Sequence, residues 1–459
     1  MSRIAPTLVP TPPPADASAA AESPWPERRG AWRVVVILMI AYAISFVDRQ
    51  VINLLTESIK RDLGISDLQI GMLQGLAFGI FYTLLGLPLG RLSDFYSRRN
   101  VVLAGALVWS LMTVSCGLAR SFGQLFLTRV GVGVGEAALS PAAMSMISDY
   151  FPPERRAAAL SLYVMGTSLG AGLALIVGGS VVGLVNTLGV VQLPLVGAVA
   201  PWQAAFIGVG LPSLLLLPLL ATLREPARRG LLRVGAAAPA QLSLADGARY
   251  IWRRRAVYLN HHLGIAAVSV FTYGIAAWMP ATFMRRFDWQ PGEIGLVYGV
   301  MTITFGVGGV LAGGWIAGRV RRAGYRDANW RVMTLAVVLL VPFAVAMPLA
   351  PSAALVLVLM APTTFLSTFP YGIAAAALQD VTPNQLRAQV TALYLLALGL
   401  LGLGIGPTAV GAFTDRVFGD PMQVGRSIAL LCAIAGPIAI GCLVAGWKPY
   451  RELLEEGEA

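Results

Sequence analysis

Between Ala157 and Leu223 the chain carries no charged residue. An apolar run of that length has no place in the core of a soluble domain. In lipid, every backbone N–H and C=O must find its partner inside the structure, so only helices or closed barrels fit. Apolar spans of about twenty residues recur through the rest of the 459-residue chain, the length a helix needs to cross hydrocarbon. Alternating strand-like segments do not recur. Charged residues make up 12% of the chain, about half the soluble norm, and the mean hydropathy is +0.71. The expected fold class is therefore an all-α membrane protein with twelve transmembrane helices. Turn residues from Gly178 to Pro201 divide the uncharged run into a fifth and a sixth span. The apolar connection between them is expected to be structured against the outer leaflet.

The net charge of +11 raises the question of nucleic acid, but the basic residues sit in loops between spans. With the N-terminus inside, one side collects Arg3, Arg28, Arg29, Arg33, Arg91, Arg98, Arg99, Arg155, Arg156, the group from Arg224 to Arg255, Arg319 to Arg331, Arg387, Lys448 and Arg451. The other side receives Lys60, Arg61, Arg120, Arg285, Arg286, Arg416 and Arg426. This asymmetry assigns the first side to the cytoplasm, with both termini there. No nucleic-acid partner is expected. Residues 1–26 lack the apolar core of a cleavable signal peptide, so the first span itself should direct insertion. Cys116, Cys432 and Cys442 lie in apolar spans; the last two are about 15 Å apart on one helix, too far for a disulfide.

The chain divides into a low-complexity tail (1–29), expected to be disordered, a first bundle (30–223), a charge-rich linker (224–255), a second bundle (256–448) and an acidic tail (449–459). An amphipathic helix is expected in the linker near Leu244 to Trp252. Asp149, Pro152, Arg156, Ala157 and Tyr163 recur 231 residues later as Asp380, Pro383, Arg387, Ala388 and Tyr394. One turn thus joins spans four and five and again spans ten and eleven, as in two pseudo-symmetric six-helix bundles related by an axis along the membrane normal.

Chemistry concentrates in the fourth span, Phe122 to Ile147, which contains Arg129-Val-Gly-Val-Gly-Val-Gly-Glu136. The two charges share one helix face, about 10 Å apart along the axis. A mid-membrane carboxylate costs at least about 3 kcal/mol unless protonated, paired or hydrated. Gly131, Gly133 and Gly135 strip the helix so that another backbone or a ligand can approach. The first span holds the adjacent pair Asp48-Arg49. Neighbouring side chains point about 100° apart on a helix, so each should meet a different partner, with Glu136 and Arg129 the charges available.

The second span ends in Gly90-Arg-Leu92-Ser-Asp94-Phe-Tyr-Ser-Arg98-Arg99. This resembles the cytoplasmic loop signature G-x-L-x-D-x-x-G-R-R of the major facilitator superfamily, with Ser97 in place of its second glycine. The resemblance implies an inner-gate charge network of Gly90, Asp94, Arg98 and Arg99, joined by Asp149, Arg156 and Arg387 from the repeated turn. The signature returns in decayed form at Gly314 to Arg319 without its aspartate, so the two inner gates should differ in strength. Asp48-Arg49, R-x-x-x-G-x-G-E-A in the fourth span and D-x-F-P-P-E-x-R after it are similar to the spinster-like branch. That branch implies a monomeric proton-linked transporter with lysophospholipid or sphingoid-lipid substrates, its proton-coupling carboxylates falling on Asp48 and Glu136. Arg49 and Arg129 become charge partners or ligands for an anionic head group.

Two acids in a low-dielectric site disfavour joint ionisation while the two arginines favour it. A conformational switch that changes their neighbours would change proton affinity. The second half offers no mid-membrane charge but carries Tyr273, Thr302, Thr364, Thr368 and Tyr371 beside apolar side chains; most such hydroxyls should bond back to their own helices. A cavity charged on one side and apolar with hydroxyls on the other suits an amphiphile. His261 and His262 read as packing residues near the start of the seventh span. Metal-ligand spacings, P-loops and nucleophile elbows are missing, so neither enzyme activity nor a cofactor or metal is expected. The expected partners are a proton, an amphiphilic small molecule and membrane lipids, in a bacterial inner membrane. The alternatives are a proton-coupled carrier of a soluble organic anion or drug, and a non-transporting receptor or scaffold.

Overall fold

The computed structural model describes residues 25–193, 197–228, 244–383 and 386–456. Twelve of its helices are long and apolar enough to span a membrane. They are α1 (Arg28–Leu54), α2 (Asp67–Phe95), α3 (Arg98–Cys116), α4 (Phe122–Tyr150), α5 (Pro153–Leu188), α6 (Pro201–Ala221), α7 (Arg255–Phe287), α8 (Pro291–Arg322), α9 (Ala328–Leu349), α10 (Ala353–Val381), α11 (Gln389–Phe418) and α12 (Pro421–Glu456). With an even number of crossings, the N-terminal end of α1 and the C-terminal end of α12 lie on one face, here the terminal face. The disordered tail expected over 1–29 falls largely outside the described residues, as does the middle of the linker, 229–243. The linker's amphipathic helix runs from Leu244 to Arg253.

The expected division between Gly178 and Pro201 is present, but it falls late in that stretch. Gly178, Gly179 and Gly183 do not turn the chain; α5 runs through them to Leu188. The break falls at Gly189, whose φ of 66° suits a residue without Cβ. A two-stranded hairpin follows, β1 (Val191–Leu193) against antiparallel β2 (Gly197–Val199). Glycine in the membrane is tolerated because each helical N–H still reaches its own carbonyl, and the missing side chain lets a partner close in.

Gly172 and Gly179 of α5 are used in this way. A Cβ on Gly295 of α8 would stand 2.4 Å from the Leu175 carbonyl oxygen and 2.9 Å from Gly179 Cα of α5, and one on Gly299 would stand 2.6 Å from the Gly172 oxygen. The same contact repeats between α2 and α11, where a Cβ on Gly71 would meet the Pro407 oxygen at 2.5 Å and one on Gly75 the Gly404 oxygen at 2.8 Å. These two helix pairs join the bundles at the face opposite the termini. Charge locks the same face. Arg285 of α7 donates through Nε to Glu57 at 2.7 Å and through its terminal nitrogens to both oxygens of Asp67, at 2.7 and 2.8 Å. Lys60 also reaches Asp67 at 2.8 Å. Asp415 of α11 accepts from the N–H groups of Asp67 and Leu68, at 3.2 and 2.6 Å, capping α2 from the other bundle.

Toward the terminal face the bundles part. The close approach reaches Thr83 against Gly399. Beyond it, a Cβ on Gly86 would meet open space, Gly90 packs on Pro141 of its own bundle, and Leu84, Leu87, Leu92 and Phe95 are exposed. The molecule is closed at the face opposite the termini and open at the terminal face. Gly295→Ala should force α5 and α8 apart, because backbone cannot yield as a flexible side chain does. Spin labels at Asn186 and Glu293 should report longer distances than in the parent; an unchanged distribution would show that the seal tolerates a methyl group.

Candidate functional site: a buried charge cluster in the first bundle

Glu136 sits where α4 falters. The helix is interrupted between Glu136 and Leu139, and the glycines before it bring α2 and α3 close: a Cβ on Gly133 would lie 2.7 Å from the Phe78 oxygen, one on Gly135 2.5 Å from the Trp109 nitrogen. Glu136 is thereby buried, at 2% exposure, and needs a charge to meet it. Arg49 provides one, its guanidinium 2.6 Å from Glu136 Oε2. Phe46, Phe78 and Tyr82 surround that guanidinium, with ring centroids 4.4–4.8 Å away, so cation–π attraction adds to the ion pair.

Arg129 has another role. It is fully buried and donates to the main-chain oxygens of Asp48, at 3.2 Å, and Arg49, at 3.1 Å. It pins α1 to α4 through backbone. The adjacent acid and base of α1 do diverge, but the expected Asp48–Arg129 side-chain pairing does not form. The Asp48 carboxylate, also fully buried, accepts a hydrogen bond from Ser213 of α6 at 2.8 Å. Ser213 was overlooked at the sequence level, although it is the lone hydroxyl in the apolar run from Ala204 to Ala221. Of the two arginines, Arg49 keeps part of its side chain accessible, 11%.

The second-bundle candidates are only partly gathered. Tyr371 of α10 bonds Ser269 and Thr272 of α7, at 3.2 and 3.0 Å. Tyr273, 36% exposed, lies within electrostatic range of Arg49 and Tyr82 across the bundles. Thr302 returns its hydroxyl to the Tyr298 oxygen, and Thr368 to the Phe365 oxygen. Thr364 is half-buried. His261 and His262 cap carbonyls of α10 and α11, those of Ala374 and Val390.

At the terminal face Arg98 is buried and binds Asp149, Ser145 (3.0 Å), Glu225 (2.7 Å) and the Pro226 oxygen (3.0 Å). Glu225, just beyond α6, also accepts from the Arg99 N–H and the Ser97 hydroxyl, both at 3.0 Å. Nothing in the loop signature pointed to Glu225. Asp94 stays outside this network: it is exposed and makes no ion pair among the described residues. Arg156 is half-buried, and Arg387 closes the end of α10 on the Thr382 and Gln379 oxygens. The second bundle has its own latch, Arg321 to Asp380 at 2.6 Å, with Asn329 and Tyr450 on the same carboxylate.

Residues 38–407 match the family model of the Major Facilitator Superfamily. The chain belongs to the major facilitator superfamily. An MFS-type efflux pump of Mycolicibacterium smegmatis is 31% identical over 436 residues, covering 93% of this chain and 95% of its own. Protein spinster homolog 1 of Xenopus tropicalis is 28% identical over 435 residues, covering 90% and 80%. The crystal structure of a bacterial homolog to the human lysosomal transporter Spinster, inward-facing and unoccupied, superposes with a TM-score of 0.76 at 24% identity, covering 94% of this chain and 98% of that one. The chain is thus a spinster-like transporter of the alternating-access fold, integral to a membrane, and not an enzyme.

Two outcomes test this geometry. Arg49→Ala leaves Glu136 buried without its partner and should destabilise the purified transporter by about 3–5 kcal/mol, read as a lowered thermal midpoint. Adding Glu136→Gln should recover most of the loss, and a double variant no better than the single would show the pair is not the source. Burial works against the Glu225 charge, but the Arg99 N–H and the Arg98 and Ser97 side chains outweigh it and hold the carboxyl below its usual range. A lowered folded-state pKa means the latch stands fully above the free value of about 4.3 and is lost as pH falls through the lowered one. Amide exchange at Arg99, corrected for intrinsic rate, should stay protected down to about pH 4.3. In Glu225→Gln it should rise roughly tenfold at neutral pH.

Proposed function

We propose that this transporter moves an amphiphilic, lipid-like solute, such as a lysophospholipid or sphingoid lipid, in exchange for or together with protons carried by Asp48 and Glu136. The observation that carries the reading is the different tethering of two acids in one bundle. Glu136 is held by an arginine at the edge of the opening between the bundles, and Asp48 by a single hydroxyl inside the first bundle. A carboxylate tethered to a hydroxyl can take up a proton without breaking an ion pair. One paired with Arg49 exchanges that arginine for a proton, or for the anionic head of a substrate. Arg49 is favoured over Arg129 as head-group ligand because part of its surface is open while Arg129 is buried against backbone. Tyr82, Tyr273 and Phe46 offer apolar and aromatic walls beside it.

Taking the terminal face as cytoplasmic, as the distribution of arginines favours, the structure is inward-open and both termini lie in the cytoplasm. A bacterial inner membrane fits this topology. Switching outward would part the glycine contacts and the Arg285 clamp while drawing the Arg98 and Arg321 latches toward each other. A second reading, a proton-coupled carrier of a drug or soluble organic anion, draws support from the relative named an MFS-type efflux pump. Competition between lysolipids and small organic acids for purified protein separates the two substrate classes.

Asp48→Asn and Glu136→Gln should each abolish transport driven by a pH gradient in liposomes while the protein remains folded. Gradient-driven uptake at the parent rate in both variants would remove these acids from the mechanism.

A further inference from the structure

Hydroxyl groups in the helices of this chain follow a habit. Thr83, Ser93, Ser115, Thr282, Thr302, Thr334 and many others donate to a main-chain oxygen one turn back, which satisfies a serine or threonine in an apolar helix at no further expense. Two fully buried hydroxyls on α3 break it. Ser110 Oγ and Thr113 Oγ1 make no hydrogen bond, nor does the indole N–H of the equally buried Trp109. These three sit within one turn of each other on α3, and two of them have contacts toward the charge cluster. Trp109 packs on Gly135, next to Glu136, and lies near Asp48 without hydrogen-bond geometry. Thr113 touches Gly210 of α6, one turn from the Ser213 that bonds Asp48.

More polar atoms there are unmatched. Asp48 Oδ1, Glu136 Oε1 and the Nε atoms of Arg49 and Arg129 also lack partners. Buried polar groups are nearly always satisfied, by protein or by internal water. Here donors (the indole, the guanidinium Nε groups), acceptors (the carboxylate oxygens) and groups that serve as both (the hydroxyls) lie on α1, α3 and α4. An internal water needs two to four such partners.

We propose that Trp109, Ser110 and Thr113 of α3, with Ser213 of α6, bind internal water beside Asp48 and form the route by which its proton arrives and leaves. This deepens the proton-coupled reading above and rests on it. The charged and titratable groups facing Asp48 are Arg129, Glu136 and Cys116. The step is a proton transfer: an O–H bond forms at Asp48 as one breaks on the adjoining water, which regains its proton from the next group along. The route runs inside the first bundle, apart from the opening through which the solute passes. Proton and solute would then meet only through Glu136 and Arg49, which is how one bundle can register the occupancy of the other.

Thr113→Val and Ser110→Ala remove the hydroxyls with little change in volume, and neither residue touches the solute opening. In hydroxyl-radical footprinting by X-ray pulse, Trp109 of the parent should be labelled despite its burial, because bound water is the radical source, and labelling should fall several-fold in the double variant. An unlabelled Trp109 in the parent overturns the water site. In liposomes, solute-dependent proton flux in Thr113→Val should fall about tenfold, which is about 1.4 kcal/mol in the barrier, with solute exchange at equal pH and the thermal midpoint unchanged. Parent-level flux in both variants overturns the relay. A parent that moves solute without protons defeats the coupling proposal instead, and the footprint then decides the water site by itself.

Discussion

An ionised side chain in hydrocarbon must be answered from within the protein, and the Arg49–Glu136 pair is where this chain answers it. The pair forms because α4 surrenders its side chains at three glycines, letting α2 and α3 press against it and drive Glu136 below the surface. Once buried, the carboxylate demands a cation, and α1 must present Arg49 at that level. Arg129 then fixes the level of α1 through two main-chain oxygens rather than through a second ion pair. The position of α1 in turn sends Asp48 into the bundle, toward α6. The whole cluster is a chain of consequences from removing side chains on one helix.

The same device works between the bundles, with another result. Glycines of α2, α5, α8 and α11 bring backbones into contact at one face, where the attraction is made of many short dispersion contacts with little side-chain entropy to lose. Arg285 adds a clamp of charge-assisted bonds to Glu57 and Asp67. Such an interface is tight when closed: backbone meets backbone, and Ile176 and Ile303 fill the gaps that Gly299 and Gly172 leave. The terminal-face latches of Arg98 and Arg321 are by contrast internal to each bundle. They stiffen the bundles as bodies, which a rocking motion requires.

The fold is largely legible in the sequence, because lipid imposes a severe rule on it. Span lengths, the repeat of Asp149 to Tyr163 at Asp380 to Tyr394, and the loop signature together place all twelve helices. The break expected between Gly178 and Pro201 comes only after Leu188 for a physical reason: glycine breaks helices in water but can serve as a contact surface in membranes, as Gly179 does. At the site, Asp48, Arg49, Arg129 and Glu136 were conspicuous as charges out of place. Their neutral neighbours Ser213, Ser110, Thr113 and Trp109 were not, since a hydroxyl or indole in an apolar helix ordinarily has a local partner. Glu225 was hidden in a charged linker, and the exposure of Asp94 was not legible because a motif records residue type and not which way a side chain turns.

Sequence alone determined that the chain crosses the membrane twelve times in two related bundles and that acids and bases lie together in its first half, because hydrocarbon penalises each such residue individually and so marks it. Only the tertiary structure decided which charge meets which. Pairing depends on helix rotation and depth, set by glycine contacts between helices far apart in the chain, and a difference of one residue turns a side chain by about 100°. That rotation gave Glu136 its arginine, left Asp48 with a serine, and closed the molecule at one face rather than the other.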